Sequence, residues 1–265
     1  MIERRDFSGC MKGKNLRYLG EIRVAPTTHA RAGFLLLENF SLPAFTQALD
    51  TIVTANLLRP TLFSSRTFGL HNGEVPSDLG LVIRPDARLD VAALKDLNLL
   101  VICGGYRTEL KANHELISLL QTASELGITL AGLWNGAWFL GVSGLLEGYR
   151  CAIHPEHRPA LAEISKVTHV TSEAFVMDRD RLTASSPAGA FHMALEWIKG
   201  LHGKALVEGI EDILSFEESR YRRIKPTQNI SLSAPLKEVV KLMDANLEAP
   251  LQMEQLAVYA GRSRR

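Results

Sequence analysis

Cysteine is scarce in this 265-residue chain, and the three present, Cys10, Cys103 and Cys151, make neither a disulfide framework nor a metal-binding spacing. That excludes a small stapled scaffold and leaves a reduced, cytoplasmic setting as the expectation, with no metal and no cofactor. Charge of one sign is missing as well. Thirty basic residues stand against 29 acidic ones, a net charge of +1, so no nucleic-acid footprint covers the whole molecule, although a local one is compatible. Long apolar runs are absent too. The longest are short stretches such as Leu99 to Cys103, far below the ~18 residues of a membrane span. Met1-Ile-Glu-Arg-Arg5 has no apolar run behind its charges, so no signal peptide is expected. What remains is an ordinary globular composition, 46% hydrophobic and 22% charged, in a chain long enough to bury a core without disulfides.

Along the chain, residues 1–28 lack periodicity and read as a loosely held arm. From Arg31 the texture changes. Ala32 to Leu37, Leu97 to Cys103 and Ile128 to Leu133 are short continuous apolar runs, as in strands buried on both faces. Phe45 to Leu58 carries apolar residues at helical spacing, and Asn113 to Leu126 reads as a helix capped by Asn113 and stopped by Gly127. Thr61 to Leu70 and Leu79 to Ile83 read as strands around a turn at His71-Asn72-Gly73. Lys166 to Thr171 and Arg181 to Ala184 are further strand candidates before a helix from Pro187 to about Leu201. Apolar strands alternating with amphipathic helices predict a doubly wound parallel α/β sheet over 29–203. A helical linker over 204–233 follows, with the basic stretch Arg220 to Lys225. Over 234–265, two short helices, a glycine turn and Ser263 match the opening of a helix-turn-helix. A third helix would enter the major groove, and the sequence stops before it.

The segment Gly132-Leu133-Trp134-Asn135-Gly136-Ala137-Trp138 is the most informative. A buried strand turning sharply into a helix sets its elbow at the carboxyl end of the sheet, where doubly wound proteins bind ligands. In hydrolases built this way the elbow holds Ser or Cys beside free helix-start N–H groups. Here Trp134 and Asn135 stand there, and neither an indole nor a carboxamide is a useful nucleophile.

The run from Gly132 to His154, with Gly144-Leu-Leu-Glu-Gly148, Cys103-Gly104-Gly105 and Asp180-Arg-Leu-Thr183, resembles the ThiJ/PfpI-like, class I glutamine amidotransferase-like domain. More narrowly it resembles the sensor domain of one branch of AraC/XylS-type transcriptional regulators. Pro250-Leu-Gln-Met-Glu-Gln-Leu-Ala257 and Ala260-Gly-Arg-Ser-Arg264 resemble the start of the AraC-type DNA-binding domain, here incomplete. The resemblance implies a flavodoxin-like fold, a homodimer, promoter DNA as partner, and Ser263, Arg264 and Arg265 at the DNA. In catalytic relatives a Cys sits where Trp134 sits, with a His matching His154 and often a Glu after the first strand. Here Glu38 precedes that loop, and no acid occupies residues 39–46.

Keeping the geometry and dropping the nucleophile points to binding. Trp134 and Trp138, spaced i, i+4, are expected to meet on one helix face and, with Phe40, to build an aromatic wall for a cation. Helix-start N–H groups at Asn135 would take a carboxylate, so a small amino-acid-like or quaternary-ammonium effector fits both. His154 is placed to donate to that ligand, Gly104 and Gly105 to line it by backbone, and His192 either to face it or to serve structure alone. Cys103 and Cys151 read as small core residues before substitute nucleophiles. His154, Glu156 and His157 make a weak metal pattern, interrupted by Pro155. Three readings stand: a ligand-sensing regulator, a hydrolase or lyase on the same scaffold, and a truncated sensor or dimerisation protein that does not bind DNA.

Overall fold

The structure, a computed structural model, describes residues 29–214. In chain order its elements are β1 (Ala30–Leu36), α1 (Leu42–Leu58), β2 (Phe63–Gly69), β3 (Val75–Pro76), β4 (Val82–Ile83), β5 (Ala87–Arg88) and α2 (Val91–Leu94). Then come β6 (Leu99–Cys103), α3 (His114–Glu125), β7 (Thr129–Leu133), α4 (Gly136–Val142), β8 (Arg150–Cys151) and α5 (Arg158–Ile164). The last are β9 (His169–Val170), β10 (Phe175–Asp178), β11 (Arg181–Ala184), α6 (Pro187–His202) and α7 (Lys204–Leu214).

The continuous apolar runs become the middle of the sheet because only a strand covered on both faces can bury every side chain. Leu99 to Cys103 is buried throughout, and in β1 only Arg31 is exposed. The main sheet runs β10-β11-β7-β6-β1-β2-β5, parallel except for the β10–β11 pair. Its inner order, β2-β1-β6-β7-β11, is that of flavodoxin-like folds, with the direction of winding reversing between β1 and β6. On one face α1, α6 and α7 supply Phe45, Ile52, Ile198 and Ile210 to a buried layer. On the other α3, α4 and α5 supply Leu120, Phe139 and Leu161. Helix starts are set by side-chain caps: Asn113 accepts from the Leu116 N–H at 2.8 Å and Ser186 from the Gly189 N–H at 3.1 Å.

Several expectations shift. Leu79 to Ile83 does not pair with β2: only Val82–Ile83 is extended, and it pairs antiparallel with Val75–Pro76. The outer edge of β2 goes instead to Ala87–Arg88, where the Asp86 carboxylate accepts from both the N–H and hydroxyl of Thr67 at 2.8 Å. Of Lys166 to Thr171 only His169–Val170 is a strand, paired with Arg150–Cys151 outside the main sheet. The domain also extends past 203. Leu206, Val207 and Ile210 of α7 are buried against the α1–α6 layer, because a helix with one apolar stripe must cover it. Residues 204–214 thus belong to the α/β domain rather than to a linker, and the chain divides after Leu214. The expected arm over 1–28, the remaining linker with Arg220 to Lys225, and the helix-turn-helix fragment with Ser263, Arg264 and Arg265 lie outside the described residues. No described helix is long and apolar enough to cross a membrane.

Candidate functional site

Three strand ends, β1, β6 and β7, converge beside the reversal of winding, and their following loops are tied together. The Ser41 N–H donates to the Gly104 carbonyl at 2.9 Å, and the Gly104 N–H to the Leu133 carbonyl at 3.2 Å. The Thr108 hydroxyl donates to the Glu38 carbonyl at 2.9 Å. Such closeness needs glycine. A Cβ on Gly105 would lie 2.3 Å from the Asn39 oxygen, and one on Gly104 would lie 1.9 Å from Asn135 Oδ1.

At the elbow Trp134 has φ +61°, a left-handed conformation that a bulky aromatic residue adopts only under constraint. The constraint is visible on both sides. The Trp134 N–H donates to the Ala184 carbonyl at 2.8 Å, and its own carbonyl accepts from the His154 N–H at 3.2 Å. The indole lies flat on the His154 imidazole, centroids 4.4 Å apart and planes 7° from parallel. Tyr106, 54% exposed, meets the same imidazole edge-on at 6.4 Å, and His157 lies 6.1 Å from it. Asn135 is fully buried at the start of α4; its Nδ2 donates to the Thr108 carbonyl at 3.3 Å and its Oδ1 has no partner among the described residues.

The expected residues therefore divide. Trp134, Asn135, His154, Gly104 and Gly105 come together at the elbow. Phe40 does not offer a face to this space, since its ring is fully buried and edge-on to Phe45 at 5.7 Å. Trp138 packs into the opposite layer, edge-on to Phe139 at 5.1 Å. The three-ring wall is not assembled, because Trp134 precedes the helix with a positive φ and the i, i+4 register does not reach it. His192 is exposed on α6 and stacks on Phe175 of the edge strand β10, two strands out from β7. Sequence reasoning passed over Tyr106 and Arg158, although each directly follows a residue it singled out, Gly105 and His157.

Cys103 and Cys151, the two cysteines among the described residues, are poor nucleophiles. Burial raises both, Cys151 to about 12 and Cys103 further still. Among the described residues no three His, Cys, Asp or Glu side chains group as a metal site. His154 and His157 both titrate below the usual histidine value, chiefly because burial disfavours the imidazolium. Arg158 adds to this for His154, and His154 adds to it for His157, while Glu156 opposes it at both. Because these folded values are depressed, the unfolded chain binds more protons in the window below the ordinary value of 6.5. The stability contributed is present above that value and lost as pH falls through the folded ones. Thermal unfolding followed from about pH 8 to about pH 5 should show a falling midpoint. Replacing His154 and His157 together by glutamine should flatten that slope, with the part due to His202, lowered in the same direction, remaining. An unaltered slope in the double variant would mean that neither ring is desolvated.

The DJ-1/PfpI family matches residues 40–200. The HTH-type transcriptional regulator GbdR of Pseudomonas aeruginosa is 34% identical over 239 residues, which are 88% of this chain and 65% of that protein. The HTH-type transcriptional regulator CdhR of the same species is 27% identical over 231 residues, 84% of this chain and 68% of that one. The crystal structure of an AraC family transcriptional regulator from Pseudomonas putida superposes with a TM-score of 0.68 at 50% identity, covering 70% of this chain and 99% of that one. This chain thus spans 65% of the length of GbdR, and the 40–200 match encloses the Gly104-Gly105 loop and the elbow. With its sheet order, its strained elbow and these relatives taken together, the chain belongs to the DJ-1/PfpI family, among relatives that are HTH-type and AraC-family transcriptional regulators.

Proposed function

We propose that the chain is the sensing part of a ligand-responsive, DNA-binding transcriptional regulator, homodimeric and cytoplasmic, and that it is not an enzyme. The observation that carries this reading is the elbow. Its strained turn, φ +61°, is kept, yet the residue there is a tryptophan stacked on the histidine that would serve a nucleophile. A strained turn costs about 1–3 kcal/mol and persists where the surroundings hold it for use. With acyl transfer closed off, the use left to it is recognition. Cys103 and Cys151, buried and held protonated, supply no ready thiolate for a hydrolase reading. The effector is a small amino-acid-like or quaternary-ammonium metabolite, and Trp134 and Tyr106 supply the aromatic surface a cation selects.

The test uses the protein encoded by the complete gene with labelled DNA from upstream of that gene, in fluorescence anisotropy. Adding the cognate effector should change DNA affinity at least about 5-fold, the range of ordinary coupling between two sites. Trp134→Leu should remove that change while leaving effector-free DNA binding intact. An effector response that survives Trp134→Leu would place recognition elsewhere, and absence of DNA binding with every metabolite tried would end the regulator reading.

A further inference from the structure

Taking the elbow as the effector site, as proposed above, its unpaired groups specify what the effector carries. Four nitrogens there are shielded from solvent without a hydrogen-bond partner among the described residues: Trp134 Nε1, His154 Nδ1, His157 Nδ1 and Arg158 Nε. Indole and guanidinium nitrogens donate only, and a neutral imidazole has one nitrogen able to donate. The groups are contiguous. The indole stacks on His154, His157 meets His154 at 6.1 Å, and Arg158 follows His157 and acts electrostatically on His154. Arg158 forms no ion pair among the described residues, although the exposed Glu156 is two positions away. Trp134 Nε1 and Arg158 Nε donate in any state, each imidazole Nδ1 donates in one of its two tautomers, and Asn135 Oδ1 is the unpaired acceptor at the elbow.

Buried donors without acceptors are costly, and native interiors rarely leave several in one place. A guest rich in acceptor oxygens would complete them. The start of α4, where the carboxylate was expected, is a poorer receptor. It is pressed against backbone: a Cβ on Gly132 would lie 2.5 Å from the Ala137 nitrogen, and one on Gly104 3.0 Å from the Gly136 nitrogen. We propose that His154, His157 and Arg158 form the anion subsite of the effector pocket and that its occupant is a carboxylate, held bidentate by the Arg158 guanidinium. Arg158 is the one permanent cation among the three residues, which suits a monoanion better than a phosphate dianion. Entry lifts the His154 ring off the indole, so that Trp134 emission reports occupancy.

The experiment titrates the full chain with pairs of probes that differ in the carboxylate, glycine betaine against choline and L-arginine against agmatine, with inorganic phosphate alongside. Tryptophan emission and calorimetry are read together. The expected result is binding of at least one carboxylate, with its carboxylate-free counterpart and phosphate weaker by about 10-fold or more. Arg158→Gln should weaken that carboxylate by about 30-fold, and Arg158→Lys should recover part of the loss, because lysine keeps the charge but not the fork. Far-UV circular dichroism of both variants should match the parent. Equal binding of both members of a pair, preference for phosphate, or an Arg158→Gln variant of unchanged affinity would overturn the subsite. If calorimetric binding is then still lost in Trp134→Leu, the elbow remains the effector site. If no probe binds, subsite and elbow reading fall together.

Discussion

Replacing Trp134 by cysteine is expected to yield a thiol that iodoacetamide alkylates at least about 100-fold faster than Cys103 or Cys151 in the folded protein. The turn is what makes this so. Residue 134 sits at φ +61° after the last residue of β7, outside the helix and outside both core layers, where its side chain meets His154 and not the sheet. A thiol there gains an imidazole neighbour and, with the indole gone, access to solvent. Cys103 and Cys151 have neither: both are fully buried, and both thiols are pushed well above the ordinary value. Peptide-resolved mass spectrometry over a timed alkylation separates all four positions, Cys10 included. If position 134 reacts no faster than Cys151, the elbow does not present its side chain, and the comparison with catalytic elbows fails.

Gly132→Ala should be among the most destabilising single changes in the described domain. Its added Cβ would lie 2.5 Å from the Ala137 nitrogen, 2.7 Å from the Gly136 carbonyl carbon and 3.0 Å from Ala137 Cα, all of them backbone. No side chain can rotate away to make room, so α4 must part from β7. Overpacking of this kind costs about 3 kcal/mol. For a domain of this size that is a drop of roughly 6–12 °C in the thermal midpoint. Gly200→Ala in α6 is the control, since nothing lies within 4 Å of its added Cβ and helix propensity favours alanine by about 0.5–1 kcal/mol. Both variants unfolding at the parental temperature would mean that the helix and strand are less closely apposed than 2.5 Å implies.

What could be read in advance was what local periodicity encodes. Leu99 to Cys103 announces a strand buried on two faces without reference to any neighbour, and Asn113 with Gly127 brackets α3 by chemistry confined to its own ends. β10 escaped because Phe-Val-Met-Asp is short and half exposed; it is extended only because Arg179, at φ +55°, folds it back on β11. α7 looked like a connector because its apolar stripe is defined only by the α1–α6 surface it covers. At the site the elbow itself was legible, since Gly132 and Gly136 around a strand end have few other uses. The aromatic wall was not. Its i, i+4 spacing assumed helical backbone at residue 134, and one positive φ turns the indole to His154, twenty positions away in the chain.

The hydrogen bond from the Trp134 N–H ends on Ala184, the last residue of β11, and two residues later Ser186 caps α6. That helix is a stiff strut of 16 residues, about 24 Å long. Its far end hands directly to α7, the final described helix, which leans on α1 through Gly209 and Leu58. The turn that holds the tryptophan and the foot of this strut are thus one joint. A change at the elbow therefore reaches the first turn of α6 through one hydrogen bond and two residues of chain, while the rest of the helix stays packed in the layer it shares with α1.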